Sequence, residues 1–554
     1  MPKLSKPLEE AAAIAAIAML IGAARHPPRR NRWYRFLRGV SKAAAAVLGV
    51  RKPHKLLSRP NEERLRSLAY APHYVMAVAC GSNEGFFTAI VVEDGAVYAC
   101  GRGEYGQLGL NSRQHRQRPA RVCGAELHSD APVVMVAAGA RHRAALTKDG
   151  AIWTCGDGVA GQLGHGDAQE RLRPARLGRE VFGGSPVVLV ACGGHHTVAV
   201  TGRGFVWTCG YNAYGQLGHG DRFNRRLFTL VHPVNFGGAS IVVAAGGAFH
   251  SVVASAEGDV FTWGGGACGR LGHNDEHDRL APARLGREEF GGGKIVMVAA
   301  GGFHTVALAE DRVLWVWGLG LHGQLGLRGK LGLGNRDDRL VPTRLGGKEF
   351  FGGSLVRMAA CGHHHTLIVT EEGTVWTFGD GRHGRLGLND EDDRLLPTRV
   401  DPERFAGAQV ATVAAGLSHS AAVTEGGALF TWGRGEADQA GSQVPGGLGH
   451  ADLCNRLVPT PISPRLLGGA RVGRWHGLTE ELALAFAMGT HSRLGAGARG
   501  GEGEEKGCLY LMMPADLVER VVEACGGVCR WAKEGKAGDG EKRPMEGARR
   551  RRMP

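Results

Sequence analysis

Aromatic residues are scarce in this 554-residue chain, at 6%. No apolar run reaches the roughly 18 residues that a membrane-spanning helix requires. The longest runs from Ala11 to Ala24, and Glu9 and Glu10 precede it where a secretory signal carries positive charge. Cys-x-x-Cys pairs are absent, so the twelve cysteines propose no zinc framework. Neither a G-x-x-x-x-G-K-[S/T] loop nor a G-x-S-x-G elbow occurs. With no paired-carboxylate site either, the expectation is a non-catalytic protein without cofactor or resident metal.

Charge is unevenly placed. Of the net +14, residues 1–69 carry +11 and residues 528–554 carry +5, which leaves the body at −2. Residues 25–60 contain no acidic side chain, so a cleaved organellar targeting segment within 1–60 is one reading of the arm. Otherwise a cytoplasmic or nuclear, reducing compartment is expected, because the cysteines interchange with apolar residues.

What is abundant is glycine, at 89 residues, about twice its usual ~7% share. The glycines are periodic. Gly-[Gln/Arg]-Leu-Gly ends at Gly109, Gly164, Gly218, Gly272, Gly326 and Gly387, and a reduced copy ends at Gly449. Ahead of each lies an aromatic: Tyr98, Trp153, Trp207, Phe261, Trp315, Trp376 and Phe430. The period is about 54 residues, with extra length in the fifth copy (around 327–334) and the seventh (around 436–446). Further upstream comes Gly-x-x-His, at His142, His196, His250, His304, His365 and His419; the first copy has Phe87 there.

Each unit reads as four strands. In the third copy these are 187–193, 195–200, 205–210 and a last strand near 227–233. Val, Thr and Trp between glycine turns favour strands over helices. Seven such units imply an all-β fold, a seven-bladed β-propeller spanning 70–469. The basic N-terminal arm is 1–69, a short helical C-terminal extension is 470–527, and 528–554 is a basic tail. Helices are expected over 478–488 and 514–525 from their apolar spacing. In the arm, Trp33, Phe36, Leu37, Val40, Ala44, Val47 and Leu48 fall on one helical face. Arg29, Arg30, Arg32, Arg35, Arg38 and Lys42 supply its cations, a pattern suited to nucleic acid, an acidic membrane surface or a partner groove.

Six histidines, one per blade, are too far apart to share an ion. Buried imidazoles bonding backbone groups between strands are the expectation. Cys100, Cys155 and Cys209 share a repeat position with Trp263, Trp317, Phe378 and Trp432, so they should be buried.

The Trp-Gly step, the Gly-Gln-Leu-Gly loop, the Gly-x-x-His-Thr strand start and the later proline (Pro174, Pro282, Pro342, Pro397, Pro459) together resemble the regulator of chromosome condensation repeat family over roughly 73–465. The resemblance implies a propeller that binds protein partners through loops on one rim. It implies a protein-binding scaffold and, more finely, a regulator or guanine nucleotide exchange factor for a small GTPase. The exchange-active branch resembles this pattern with acidic residues just before the repeat histidine; here Arg141, His195, Phe249, Phe303, His364 and Ser418 stand there. The light-sensing branch has tryptophan one place earlier; here that place holds Ala140, Gly194, Ala248, Gly302, His363 and Leu417. The candidate partner-binding residues are therefore Arg141, His195, Phe249, Phe303 and His364, with the two insertions. The alternative function is chromatin or nucleic-acid association through the arm.

Overall fold

Short runs of Val, Ala and Thr bounded by glycine turn each repeat into one four-stranded antiparallel meander, and there are seven such sheets. The structure is a computed structural model and describes residues 75–82, 85–122, 131–326, 336–436 and 445–467. Strands β1–β4 run from Val75 to Arg121, β5–β8 from Val133 to Leu177, β9–β12 from Val187 to Leu230 and β13–β16 from Ile241 to Leu285. Then β17–β20 run from Ile295 to Gly346, β21–β24 from Val356 to Arg399 and β25–β28 from Val410 to Pro461. These are blades one to seven of a β-propeller. In blade three the last strand is Arg225–Leu230, beginning two residues ahead of the expected start. The helices expected in the arm and over 478–488 and 514–525 lie outside the described residues. Among the described residues no helix is long and apolar enough to cross a membrane.

The first strands contact one another in a ring around the central axis. Each carries a bulge at its second residue, such as Met76, Val188 or Arg357, which turns that side chain away from the ladder. The second strands are buried at every position. The fourth strands form the outer edge, and six carry proline at one place (Pro119, Pro174, Pro282, Pro342, Pro397, Pro459). Proline lacks the N–H that an approaching strand would pair with, so the edge resists further addition.

Between blades, a phenylalanine from a short 3-10 turn plugs the gap. Phe182 meets Trp207 of the next blade edge-on at 5.8 Å, Phe290 meets Trp315 at 5.8 Å, and Phe351 meets Trp376 at 5.7 Å. Burying each such ring is worth about 2–3 kcal/mol. In blades three to seven the aromatic that marks the repeat is thus one half of an interblade wedge.

The ring closes by packing, with no exchange of strands. Blade seven ends on its own fourth strand, Arg456–Pro461, and blade one begins on its own first, Val75–Cys80. Strands β25 and β26 rest on β1, and the Leu417 amide donates to the Gly81 carbonyl at 3.1 Å. Closure therefore asks for no strand from 470–487.

Candidate functional site

The site grows out of the two glycine motifs. The glycine of Gly-x-x-His comes first. A Cβ on Gly193 would lie 2.0 Å from the His196 ring, and one on Gly139 would lie 2.4 Å from the His142 ring. Only glycine lets the imidazole lie across the loop. That histidine then reaches into the next blade: His142 Nε2 meets Thr197 Oγ1 at 2.9 Å, His196 meets Ser251 at 2.9 Å, and His250 meets Thr305 at 3.0 Å. His304 meets Thr366 at 3.0 Å, His365 meets Ser420 at 2.9 Å, and His419 meets Thr88 across the closure at 3.0 Å. Each hydroxyl spends its single proton on a carbonyl, for example Thr197 on Gln162 O at 2.7 Å and Ser420 on Arg385 O at 2.9 Å. The imidazole must then be the donor, through Nε2–H. These partners are side-chain hydroxyls of the neighbouring blade, where backbone groups had been expected.

Burial pushes His142, His196 and His304 down to about 3 and His419 to about 4, and holds His250 and His365 well below the usual value. The second nitrogen of each ring, Nδ1, is buried without a hydrogen-bond partner, so a second proton would be stranded. The cysteines follow the same frame. Cys209 Sγ donates to Gln162 O at 3.6 Å, and Trp263 Nε1 donates to the equivalent Gln216 O at 2.8 Å. Sulfur and indole interchange there as buried groups; Cys209 and Trp263 also donate to that carbonyl, whereas the Trp317 N–H has no partner and Phe378 has no donor. Burial pushes the Cys100 and Cys192 thiols up to about 12.

The second glycine, the last residue of the third strand, builds the loop face. Gly210 has φ +113°, and a Cβ on it would meet the His195 carbonyl at 2.6 Å. That carbonyl instead accepts from Tyr211 N at 2.9 Å. The same bond joins Arg141 to Asp157, Phe303 to Leu319 and His364 to Asp380, each at 2.9 Å, and Phe249 to Gly265 at 2.8 Å. Every residue ahead of the histidine is thereby pinned beside the start of its blade's 3–4 loop.

All five predicted residues emerge on this one face, and each is partly exposed. Four of them belong to a track of rings. His195 and Tyr211 lie 6.4 Å apart, Tyr211 and Tyr214 6.4 Å, Tyr214 and Phe249 5.3 Å, and Phe249 and Phe303 6.4 Å. Phe303 stacks on His364 at 5.8 Å and 12°, and His364 meets His322 at 4.9 Å. Arg141 stands apart, its guanidinium 4.4 Å over Tyr105. Arg270 replaces the usual Gln in blade four, is buried, and lies 4.5 Å from the Phe303 ring centre. Burial pushes His364 to about 3, with His363 and His322 adding to the shift, so the His364 ring is uncharged near neutral pH.

Sequence reasoning missed Tyr211, Tyr214, His322 and Arg270. One rule would have found three contacts: the fourth residue of a 3–4 loop touches the residue before the next blade's histidine. It pairs Tyr105 with Arg141, Tyr214 with Phe249 and His322 with His364. The arm residues Arg29, Arg30, Arg32, Arg35, Arg38 and Lys42 lie outside the described residues, as do most of the fifth and seventh insertions (327–335 and 437–444). Among the described residues no group of histidine, cysteine or carboxylate side chains is arranged to hold a metal ion.

Known proteins share this architecture. A model of the RCC1-like domain matches residues 43–330, and models of the regulator of chromosome condensation (RCC1) repeat match 313–369, 372–423 and 410–439. The ultraviolet-B receptor UVR8 of Arabidopsis thaliana is 37% identical over 374 residues, covering 66% of this chain and 79% of that protein. The E3 ubiquitin-protein ligase HERC2 of Homo sapiens is 31% identical over 69% of this chain, which corresponds to 8% of the ligase. Among solved structures, human WBSCR16 is 25% identical with a TM-score of 0.57, covering 66% of this chain and 94% of its own. Prp20p of Saccharomyces cerevisiae is 23% identical with a TM-score of 0.57, covering 71% and 87%, and supports the fold alone. With seven complete blades, the six-fold histidine link and these matches, the chain belongs to the regulator of chromosome condensation (RCC1) repeat family.

Proposed function

We propose that this propeller is a non-catalytic binding platform whose partner-facing surface is the loop face carrying Arg141, His195, Phe249, Phe303 and His364. One observation carries the reading. Within the chain's own repeats, the glycines and hydroxyls that join blades recur almost unchanged. The residue between them, on the face, differs in chemistry from blade to blade: Phe86, Arg141, His195, Phe249, Phe303, His364, Ser418. Architecture explains the repetition, and recognition explains the variety.

The partner class implied by the family resemblance is a small GTPase, and Prp20p has binding properties toward Gsp1p and histones. Exchange would proceed by a face loop entering beside the bound nucleotide and displacing its phosphate and magnesium contacts. The test is release of fluorescent GDP from a panel of small GTPases mixed with the full chain. Faster release from one member, lost in the Phe249→Ala, Phe303→Ala double variant, is the expected result. No acceleration with any member removes the exchange reading. Partner binding that survives the double variant removes the face. Nucleic-acid association through the basic arm rests on residues outside those described.

A further inference from the structure

The loop face has two chemically distinct halves. Across blades three to five its centre is aromatic and apolar, with Tyr211, Tyr214, Phe249, Phe303 and Leu321, while Arg222 and Arg336 donate to the Ala213 and Leu321 carbonyls at its rim. On the other blades, charged side chains stand at the matching central places: Arg102, Asp157, Arg382 and Arg434 in the 3–4 loops and Arg141 ahead of the blade-two histidine. In this aromatic half, Tyr214 and Leu321 are 40% and 52% exposed.

Arg270 decides what this floor accepts. Its guanidinium already sits against Phe303, and its Nη1 donates to Gly302 O at 3.3 Å from beneath. A ring whose π-face holds one buried cation gains little from a second. The floor therefore suits an apolar or aromatic group. Cations are accommodated at the edge. Glu276 is exposed and makes no ion pair among the described residues. Asp338 accepts the Gly320 amide at 2.9 Å and has no cationic partner among them. Their neighbours Asp275, Asp278 and Asp337 are matched by Arg279, Arg222 and Arg339. Burial raises the Cys268 thiol, with Asp338 and Glu276 adding to the shift, and Cys268 fills in blade four the place of Tyr214 and His322. They thus border the aromatic floor.

We infer that blades three to five dock a protein segment with an apolar or aromatic anchor flanked by lysine or arginine. The anchor packs on Tyr214, Phe249, Phe303 and Leu321, and its neighbouring cation meets Glu276 and Asp338. A water-excluding apolar centre with a charged edge is the arrangement in which a few side chains carry most of the binding energy. This deepens the platform reading and rests on it.

The test uses the full chain, immobilised against a phage-displayed library of random dodecapeptides, followed by fluorescence anisotropy with a selected peptide. Selected sequences should pair an apolar or aromatic residue with Lys or Arg. Tyr214→Ala with Leu321→Ala should weaken binding about tenfold or more. Glu276→Lys should weaken it about threefold and reduce its salt dependence. Arg382→Ala should leave it unchanged. The altered residues are all exposed, and unchanged thermal unfolding verifies that the variants fold. Acidic selected peptides, or binding that survives the Tyr214/Leu321 change and fails with Arg382→Ala, overturn this inference while leaving the face as the docking surface. Binding indifferent to every one of these changes and to Phe249→Ala overturns both readings. A library that yields no binder overturns the inference as well.

Discussion

Six of the seven seams between blades are joined by an imidazole and a hydroxyl; the seam between blades one and two is not. There Phe87 stands in the histidine place and Arg143 in the hydroxyl place, both buried. Arg143 crowds the Gly109 turn, where an added Cβ would lie 2.4 Å from Nη2, and its Nη1 is buried without a partner. The comparison separates two jobs that the repeats otherwise perform together. Apolar packing continues through the odd seam, since Phe87, Val133 and Val136 share one buried cluster. The polar link does not. Closing the ring therefore depends on packing at every seam, while the histidine adds a direction-specific bond at six of them.

The broadest way to break the contrast is acid. The six linking histidines have folded-state values below their unfolded value of about 6.5. The unfolded chain therefore binds more protons between pH 6.5 and about 4. Stability is fully present above 6.5 and falls as pH drops through that window, by about 1.4 kcal/mol per pH unit for each unmatched proton. Denaturant midpoints at pH 7.5 and 5.0 should differ by the largest margin of any change considered, while midpoints at 7.5 and 8.5 should agree.

His250→Phe gives one linked seam the phenylalanine of the odd one while keeping its hydroxyl. Thr305 keeps its bond to Arg270 O but loses the imidazole donor, which should cost about 2 kcal/mol in denaturant unfolding at neutral pH. The acid dependence should become shallower, because one titrating group is gone. An unchanged acid slope would show that His250 does not contribute to it. The smallest expected change runs the other way. Phe87→His with Arg143→Thr would install the missing link and should raise stability by about 1 kcal/mol at neutral pH. It should also steepen the acid slope. A loss of stability would mean that Arg143 supports this seam in a way the other seams do not share.

Much of this was legible in the sequence because the repeats are nearly equal in length. The period gave the blade number, the glycine boundaries gave the strands, and the Cys/Trp exchange at one position gave burial. The histidine's partner was not legible, because Thr197 belongs to a different repeat from His142 and only the ring brings them together. The aromatic track was hidden for a related reason. Tyr214 and Phe249 lie 35 residues apart, and the loop position of Tyr214 holds Tyr105, Ala160, Cys268, His322 or His383 in other blades. A position with no shared chemistry leaves no pattern to read. Arg270 was visible as a departure from Gln, but its role depends on Phe303, which only the fold places against it.

Every blade is made from a single unbroken stretch of chain, and Val75 and Leu467 meet in one buried cluster where the ring comes round. The fold therefore keeps no record of which blade was synthesised first. Gly237 and Gly238, in the connection between blades three and four, have open space around them. A gene rearranged to begin there, with the old ends of the ring fused, would specify the same seven sheets in the same circular order. Such a chain resembles a necklace more than a sentence: its meaning lies in which bead sits beside which, and the clasp can be moved.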